Sequence, residues 1–133
     1  YDLWLSCTGM GLNTIDDSRL GIERFLRRNP DTCYVAETEG KQIVGVILAG
    51  HDGRRGFIYH TAVLPEERGH GIGKQLVRHA LDALREQGII KVALVVFERN
   101  ADGNAFWEKM GFTAREDLVY RNMALTEITR IDT

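Results

Sequence analysis

The residues Tyr59-His60-Thr61-Ala62-Val63-Leu64-Pro65-Glu66-Glu67-Arg68-Gly69-His70-Gly71-Ile72-Gly73-Lys74, with the run that follows them to Gln87, decide how the chain is read. A β-type run leads through a proline turn into a loop with three glycines in five residues, and an amphipathic stretch follows. Glycine loses more backbone entropy on ordering than any other residue, so three this close together are out of place inside a strand or a helix. They belong where the backbone must come near something else. Beyond them Ile72, Leu76, Val77, Ala80, Leu81 and Leu84 recur at the spacing of one buried helical stripe, while Lys74, Arg78, Asp82, Arg85 and Glu86 fall elsewhere. Gly88 suits the position just past the helix end. A glycine loop that opens a helix aims several unpaired N–H groups at one place, with the positive end of the helix dipole behind them, and this suits an anion, phosphate above all.

Upstream of this stretch, Tyr1 to Cys7 places Leu3, Trp4 and Cys7 at helical spacing, ended by Gly9 and Gly11. A chain that starts at Tyr1 inside an element reads as one whose beginning is missing. Asp16 and Asp17 predict an acidic first turn for a second helix through Leu20, Ile22, Phe25 and Leu26, stopped by Asn29-Pro30. The period then changes: Cys33 to Thr38 and Gln42 to Ala49 are β-type runs joined as a hairpin by Glu39-Gly40-Lys41. The turn His51 to Gly56 leads to a third run, Phe57 to Leu64, so an antiparallel meander is expected. Downstream, Ile89 to Phe97 is almost continuously apolar, as in a strand buried on both faces and set parallel across a helical crossover. Asn100 to Met110 predicts a short helix ended by Gly111, with Phe112 to Glu116 and Leu118 to Leu125 as two closing strands. Thr126 to Thr133 has no clear pattern.

The 133 residues form one domain with no repeat or linker, long enough to bury a core without staples. A formal net charge of -2 gives no basic face and so no reason to expect nucleic acid. The two cysteines, Cys7 and Cys33, have neither metal-ligand spacing nor a disulfide framework, which points to a reducing, cytoplasmic compartment. No apolar run has the length of a membrane span, and no stretch of the sequence reads as a signal peptide. No metal site is expected.

Three phosphate motifs compete for the loop. A P-loop requires Gly-x-x-x-x-Gly-Lys-Ser/Thr, but Arg68 replaces the first glycine and Gln75 the hydroxyl. A Rossmann dinucleotide fingerprint accepts Gly69, Gly71 and an acid at Glu98, yet Lys74 stands at the third glycine and Pro65 to Arg68 separate strand from loop. The third reading uses every position: Arg68-x-x-Gly71-x-Gly73 resembles the Arg/Gln-x-x-Gly-x-Gly/Ala motif of the GCN5-related N-acetyltransferase (GNAT) family. A second block, Asn100 to Phe112 with Phe106-Trp107-Glu108-Lys109 and Gly111-Phe112, resembles the family's Asn-rich helix. The resemblance covers about residues 32–125, preceded by what looks like the family's helical region without its first strand.

The resemblance implies a single α/β domain over 1–133: a mixed, splayed sheet, antiparallel at its start and end, with helices on both faces. It implies acetyl-CoA as co-substrate. In this family a bulge on the strand before the loop splays it from the next, and pantetheine lies in the gap. Thr61, Ala62 and Val63 would then pair with pantetheine amides, and an N–H at Val63 or Leu64 would polarise the thioester carbonyl. The loop Arg68, Gly69, His70, Gly71, Ile72, Gly73 and Lys74 would hold the pyrophosphate. Asn100 would contact the cofactor unless it serves only as a helix cap, and Trp107 would border the thiol. The activity implied is N-acetylation of a primary amine, on a small molecule or a protein, by direct attack in a ternary complex. A homodimer is the family's habit.

The chain departs from the family at its two usual proton handlers. A tyrosine seven residues after Asn100 is replaced by Trp107, whose indole N–H donates a hydrogen bond but does not titrate, and a glutamate five residues before Asn100 is replaced by Val95. Tyr59 is the substrate-facing candidate, and Tyr120 the second, if its strand faces the cleft. Strand alternation sends His60 to the face opposite Tyr59, as a buried structural histidine, and Glu98 is a candidate helix cap. Two alternatives stay open: a non-catalytic acyl-CoA-binding module, motivated by Trp107 and Val95, and a Rossmann-type dinucleotide binder. Neither Asn13 to Asn29 nor the turn His51 to Gly56 carries a pattern that names the acceptor.

Overall fold

The computed structural model describes residues 1–133. It centres on a four-stranded sheet in the order β2 (Tyr34–Glu37), β3 (Ile43–His51), β4 (Gly56–Val63) and β5 (Val92–Ala93). The first three make the expected antiparallel meander, and β5 joins β4 in parallel after the long helix α3 (Ile72–Glu86). Helices α1 (Asp2–Leu5) and α2 (Arg19–Arg28) lie on one face of the sheet and α3 on the other. Helix α4 (Ala101–Lys109) packs Phe106 against the first turn of α3. A separate two-stranded ribbon pairs β1 (Leu12–Asn13) with β6 (Arg130–Ile131). No helix is long and apolar enough to cross a membrane.

Alternation along β3 gives each face its own core. Ile47 and Ala49 join Ile58, Leu76, Val77 and Ala80 beneath α3, while Leu48 joins Trp4, Cys7, Leu12 and Ala62 beneath α1. Helix α3 is sealed at its end as the glycine predicts. Gly88 adopts φ +82°, its N–H bonds Arg85 O at 2.9 Å, and Ile89 N bonds Leu84 O at 3.0 Å, which returns the chain toward the sheet with Leu84 and Ile89 both buried. Two glycines of β3 allow helices to sit on the sheet. A Cβ on Gly45 would stand 3.0 Å from Ile72 and Leu76 of α3, and one on Gly50 would stand 2.6 Å from the Asn29 side chain.

Several expectations need correction. Asp16 and Asp17 precede α2 rather than forming its first turn; Ser18 is the cap, accepting from Gly21 N at 3.1 Å. The apolar run 89–97 pairs only at Val92 and Ala93, because β4 turns away from it beyond Phe57. The two closing strands do not form. Residues 113–129 pair with no strand, and Leu118, Val119, Tyr120, Met123 and Leu125 are exposed. Their alternation favours extended backbone, but a strand also needs a partner edge, and the chain end is tied elsewhere. Thr14 N bonds Thr129 O at 3.0 Å and Gly9 N bonds Thr133 O at 3.4 Å, so the patternless tail supplies β6 and the preceding segment spans the surface to reach it.

Gly50 offers a direct test of this packing. Gly50→Ala forces Asn29 and Phe25 away from the sheet and loosens the bond from His51 N to Asn29 Oδ1, 2.9 Å long. The expected loss is about 1–3 kcal/mol, as for other overpacked interiors, read as a lower Tm in thermal unfolding.

Candidate functional site

The loop between β4 and α3 is a row of unsatisfied donors. Gly69 and Gly71 take the left-handed conformation at φ +83° and +81°, which any side chain would strain, and this turns successive N–H groups outward. None of the N–H groups of residues 69–74 finds an acceptor in the protein, and no side chain caps α3. A Cβ on Gly69 or Gly71 would meet nothing within 4 Å, so the row faces open space. Gly73 differs: a Cβ there would stand 3.3 Å from the Phe106 ring, so its smallness lets α4 close on the start of α3. No acid lies in the first turn of α3, whereas Arg68, His70 and Lys74 flank the row. Donors, dipole and charge together suit an anion.

The strand leading into the loop is bulged. Leu48 pairs with His60 and Ala49 with Ile58, so Tyr59 is one residue more than β3 can match. A bulge bends its strand and re-aims its side chains. Beyond it β4 loses β5, whose pairing ends at Phe57 with Ala93, and the edge from Thr61 to Val63 opens as a slot. Antiparallel partners alternate between facing each other and facing away. Leu64 N bonds Val44 O at 2.9 Å, so Leu64 is engaged with β3 and it is Val63, with Thr61, that turns its backbone N–H to the slot. Of the two residues expected to polarise a carbonyl, only Val63 has its N–H free to do so. The Val63 carbonyl accepts from Arg68 Nε at 3.0 Å, and Thr61 Oγ1 is buried without a partner on the same strand.

The bulge also overturns the placement of His60. With Tyr59 as the surplus residue, both side chains fall on the α1/α2 face. Tyr59 packs against Phe57 and Phe25, with centroids 4.7 and 5.5 Å apart, and His60 stands edge-on to Trp4 at 4.8 Å. His60 Nε2 lies 2.7 Å from Asp17 Oδ1, and Asp17 Oδ2 accepts from Asn13 N at 2.8 Å. The pair is almost wholly enclosed and ties the loop between α1 and α2 to β4. Partial burial, then the nearby Asp16 and Tyr120, push the Tyr59 phenol above its ordinary value of 10.0. Tyr59 therefore remains a hydrogen-bond donor through the neutral range. Tyr120, off any strand and exposed, lies close enough to act on it.

At the second motif, Asn100 caps α4, its Oδ1 accepting from Gly103 N at 2.9 Å, while Glu98 is exposed and caps nothing. Trp107 sits edge-on between Phe106 and Phe112, with centroids 5.0 and 5.2 Å away, against the α3 core. Val95 is exposed on the unpaired run after β5. The structure thus joins Thr61 to Val63 and Arg68 to Lys74 into one continuous ridge, with Tyr59 and Tyr120 on the α1/α2 side. Trp4, Asp17 and His60 were not legible as a group. The resemblance implies a bulge on this strand, and strand alternation alone does not say that it falls at Tyr59 and so brings His60 to the α1/α2 face.

The sequence matches the Acetyltransferase (GNAT) family over residues 1–112. It is 38% identical to an acetyltransferase of Photorhabdus laumondii over 113 residues, covering 85% of this chain and 77% of the relative. Among solved structures it resembles Ard1 of Thermoplasma volcanium, with 28% identity and a TM-score of 0.67 over 72% of this chain and 65% of that one. It also has the fold of a Mycobacterium tuberculosis protein whose structure is a complex with CoA, with 24% identity and a TM-score of 0.68 over 86% of this chain and 64% of that one.

The clasp between loop and strand has a measurable consequence. Asp17→Ala strips partners from His60 and from the Asn13 N–H, and is expected to cost about 1–3 kcal/mol. Asp16→Ala, at an exposed neighbour, is expected to stay within about 0.5 kcal/mol of the parent in denaturant unfolding.

Proposed function

The chain belongs to the GNAT acetyltransferase family, and from that premise we propose that it carries acetyl from acetyl-CoA to a primary amine by direct attack in a ternary complex. The observation that carries this reading is the row of free N–H groups at residues 69–74, continuous with the opened edge of β4. Gly69, His70, Gly71, Ile72, Gly73 and Lys74 hold the pyrophosphate, with Arg68 beside them. Thr61 and Val63 offer the edge for pantetheine amides, and Ala62 spaces them. Asn100 and Trp107 border the other side of the slot through α4. Acetyl-CoA supplies an activated acyl group on sulfur.

The chemistry balances without a covalent enzyme intermediate. The amine loses one proton, its lone pair forms the C–N bond, the C–S bond breaks with its electron pair on sulfur, and the thiolate is protonated. The Val63 N–H stabilises charge on the carbonyl oxygen as that bond changes. Tyr59, a phenol protonated at neutral pH and pushed further upward by partial burial and then by Asp16 and Tyr120, is the donor to the departing sulfur, with Tyr120 adjoining it. Bulk water takes the ammonium proton, and orientation in the slot supplies much of the rate. The acceptor is a small molecule or a protein amino group. A homodimer is proposed on the family's habit, supported by the apolar side chains exposed along 118–125; a monomer in sedimentation removes it.

Thiol release from acetyl-CoA across a panel of amines tests the reading. No binding of acetyl-CoA in calorimetry overturns it, and tight binding without turnover leaves a cofactor-binding module instead. Gly71→Val, which cannot hold φ +81° without strain, is expected to raise KM for acetyl-CoA at least about tenfold. Tyr59→Phe is expected to lower kcat by about a hundredfold. Because the phenol is held above 10.0, the parent enzyme keeps this donor as pH rises through neutrality and loses it only beyond that value, so the ratio of the two rates is flat from about pH 6 to 9.

A further inference from the structure

Arg68 opens the glycine loop, and its side chain turns back to the strand before it. Its Nε donates to the Val63 carbonyl at 3.0 Å, and a terminal nitrogen reaches Cys7 Sγ at 3.7 Å. That thiol, buried just past the end of α1, lies 3.7 Å from the same carbonyl. The carbonyl faces the slot. Leu64 N bonds Val44 O across to β3, and the N–H and C=O of a trans peptide point in opposite directions, so Val63 O points away from β3. No strand receives it there, because β5 leaves β4 at Phe57. An edge carbonyl of this kind needs another partner, and Arg68 is that partner.

The bond fixes more than one oxygen. Ala62 pairs with Val46 on β3, and the peptide between Val63 and Leu64 is held by Val44 on one side and Arg68 on the other. Val63 is thereby pinned at both of its peptides, and its N–H keeps its aim into the slot. The turn between strand and loop is tight as well, with Glu67 N on Leu64 O at 2.9 Å. A guanidinium donating to a carbonyl makes a charge-assisted bond that holds it against the strand, while the N–H row at 69–74 offers its donors to an anion without it. We propose that Arg68 is a positioning residue for acetyl transfer: it acts through the Val63 peptide to hold the end of β4, and is not a ligand of the pyrophosphate. The inference rests on the acetyl-transfer reading above and adds to it the residue that sets the geometry of its carbonyl-polarising donor.

Arg68→Gln and Arg68→Met separate the bond from the charge. Both remove the charge, but the glutamine amide nitrogen stands as many bonds from Cα as arginine Nε does, so only Gln keeps a donor for Val63 O. Arg68 is exposed, so neither substitution empties the core. In thiol-release assays Arg68→Met is expected to lower kcat about tenfold and Arg68→Gln less than about threefold, with KM for acetyl-CoA within about twofold of the parent in both. The Met deficit is expected to persist with S-acetylpantetheine, a donor that carries no pyrophosphate. Equal loss of kcat in the two variants, a similar rise in KM for acetyl-CoA in both, or a deficit that vanishes with S-acetylpantetheine overturns the assignment. Amide hydrogen exchange of the unliganded protein gives a readout independent of turnover. Leu64 N–H is expected to exchange at least about fivefold faster in Arg68→Met and within about twofold of the parent in Arg68→Gln; equal exchange in the two variants overturns the clasp. If the parent neither binds acetyl-CoA nor releases thiol, the acetyl-transfer reading falls, and the exchange rates still decide whether Arg68 holds Val63.

Discussion

Between Ile58 and His60, strand β4 carries one residue more than β3 can match, and a hydrogen-bonded ladder accommodates a surplus residue by bending. That bend separates β4 from β5 after two paired residues and leaves the backbone of Thr61 and Val63 facing no strand. It also rotates the side chains downstream, so Tyr59 and His60 share a face that regular alternation would divide between them. One irregularity therefore opens the slot and sets the side chains on its far side. The cost of leaving strand-edge groups unpaired is tolerable only where a ligand or water satisfies them.

The cradle is the counterpart to this slot. Its donors are held by a helix anchored along its length through Leu76, Val77, Ala80 and Leu84, all buried, and closed at its far end by the turn through Gly88. A site built this way keeps its N–H groups aimed before a ligand arrives, so little ordering entropy is lost on binding. The left-handed glycines make the loop, but the core beneath α3 keeps it in place. Loop and slot meet at Arg68, whose guanidinium reaches back to the Val63 carbonyl.

Those parts of the molecule that depend on near neighbours were readable in the residues. Helix α3, its glycine ends, the β2–β3 hairpin and the meander follow from local periodicity and turn chemistry, and the loop of free N–H groups that opens α3 follows from Gly69 and Gly71. Features that depend on what lies across a strand were not. The resemblance implies a bulge on this strand but not its position; regular alternation through Tyr59 sends His60 to the wrong face, and its bond to Asp17, from a loop 43 residues earlier, has no local sign. The alternation of 118–125 was real as a backbone preference, yet it could not say that no edge awaited it. The tail that looked patternless found one, at Leu12 and Asn13.

The β1–β6 ribbon bears on the order in which the molecule assembles. The meander and α3 join neighbours in sequence, but the ribbon pairs Leu12 with Ile131, so closing it means drawing together the ends of nearly the whole chain. Contacts at such separation bring a large loop-closure entropy and form late. Ile131 also lines the hollow that Trp4 and Asp17 border beneath α1 and α2, so that hollow depends on the ribbon being closed. Cradle and slot are built on β4 and α3, which adjoin in sequence, whereas the hollow beneath α1 is closed by residues separated by most of the chain.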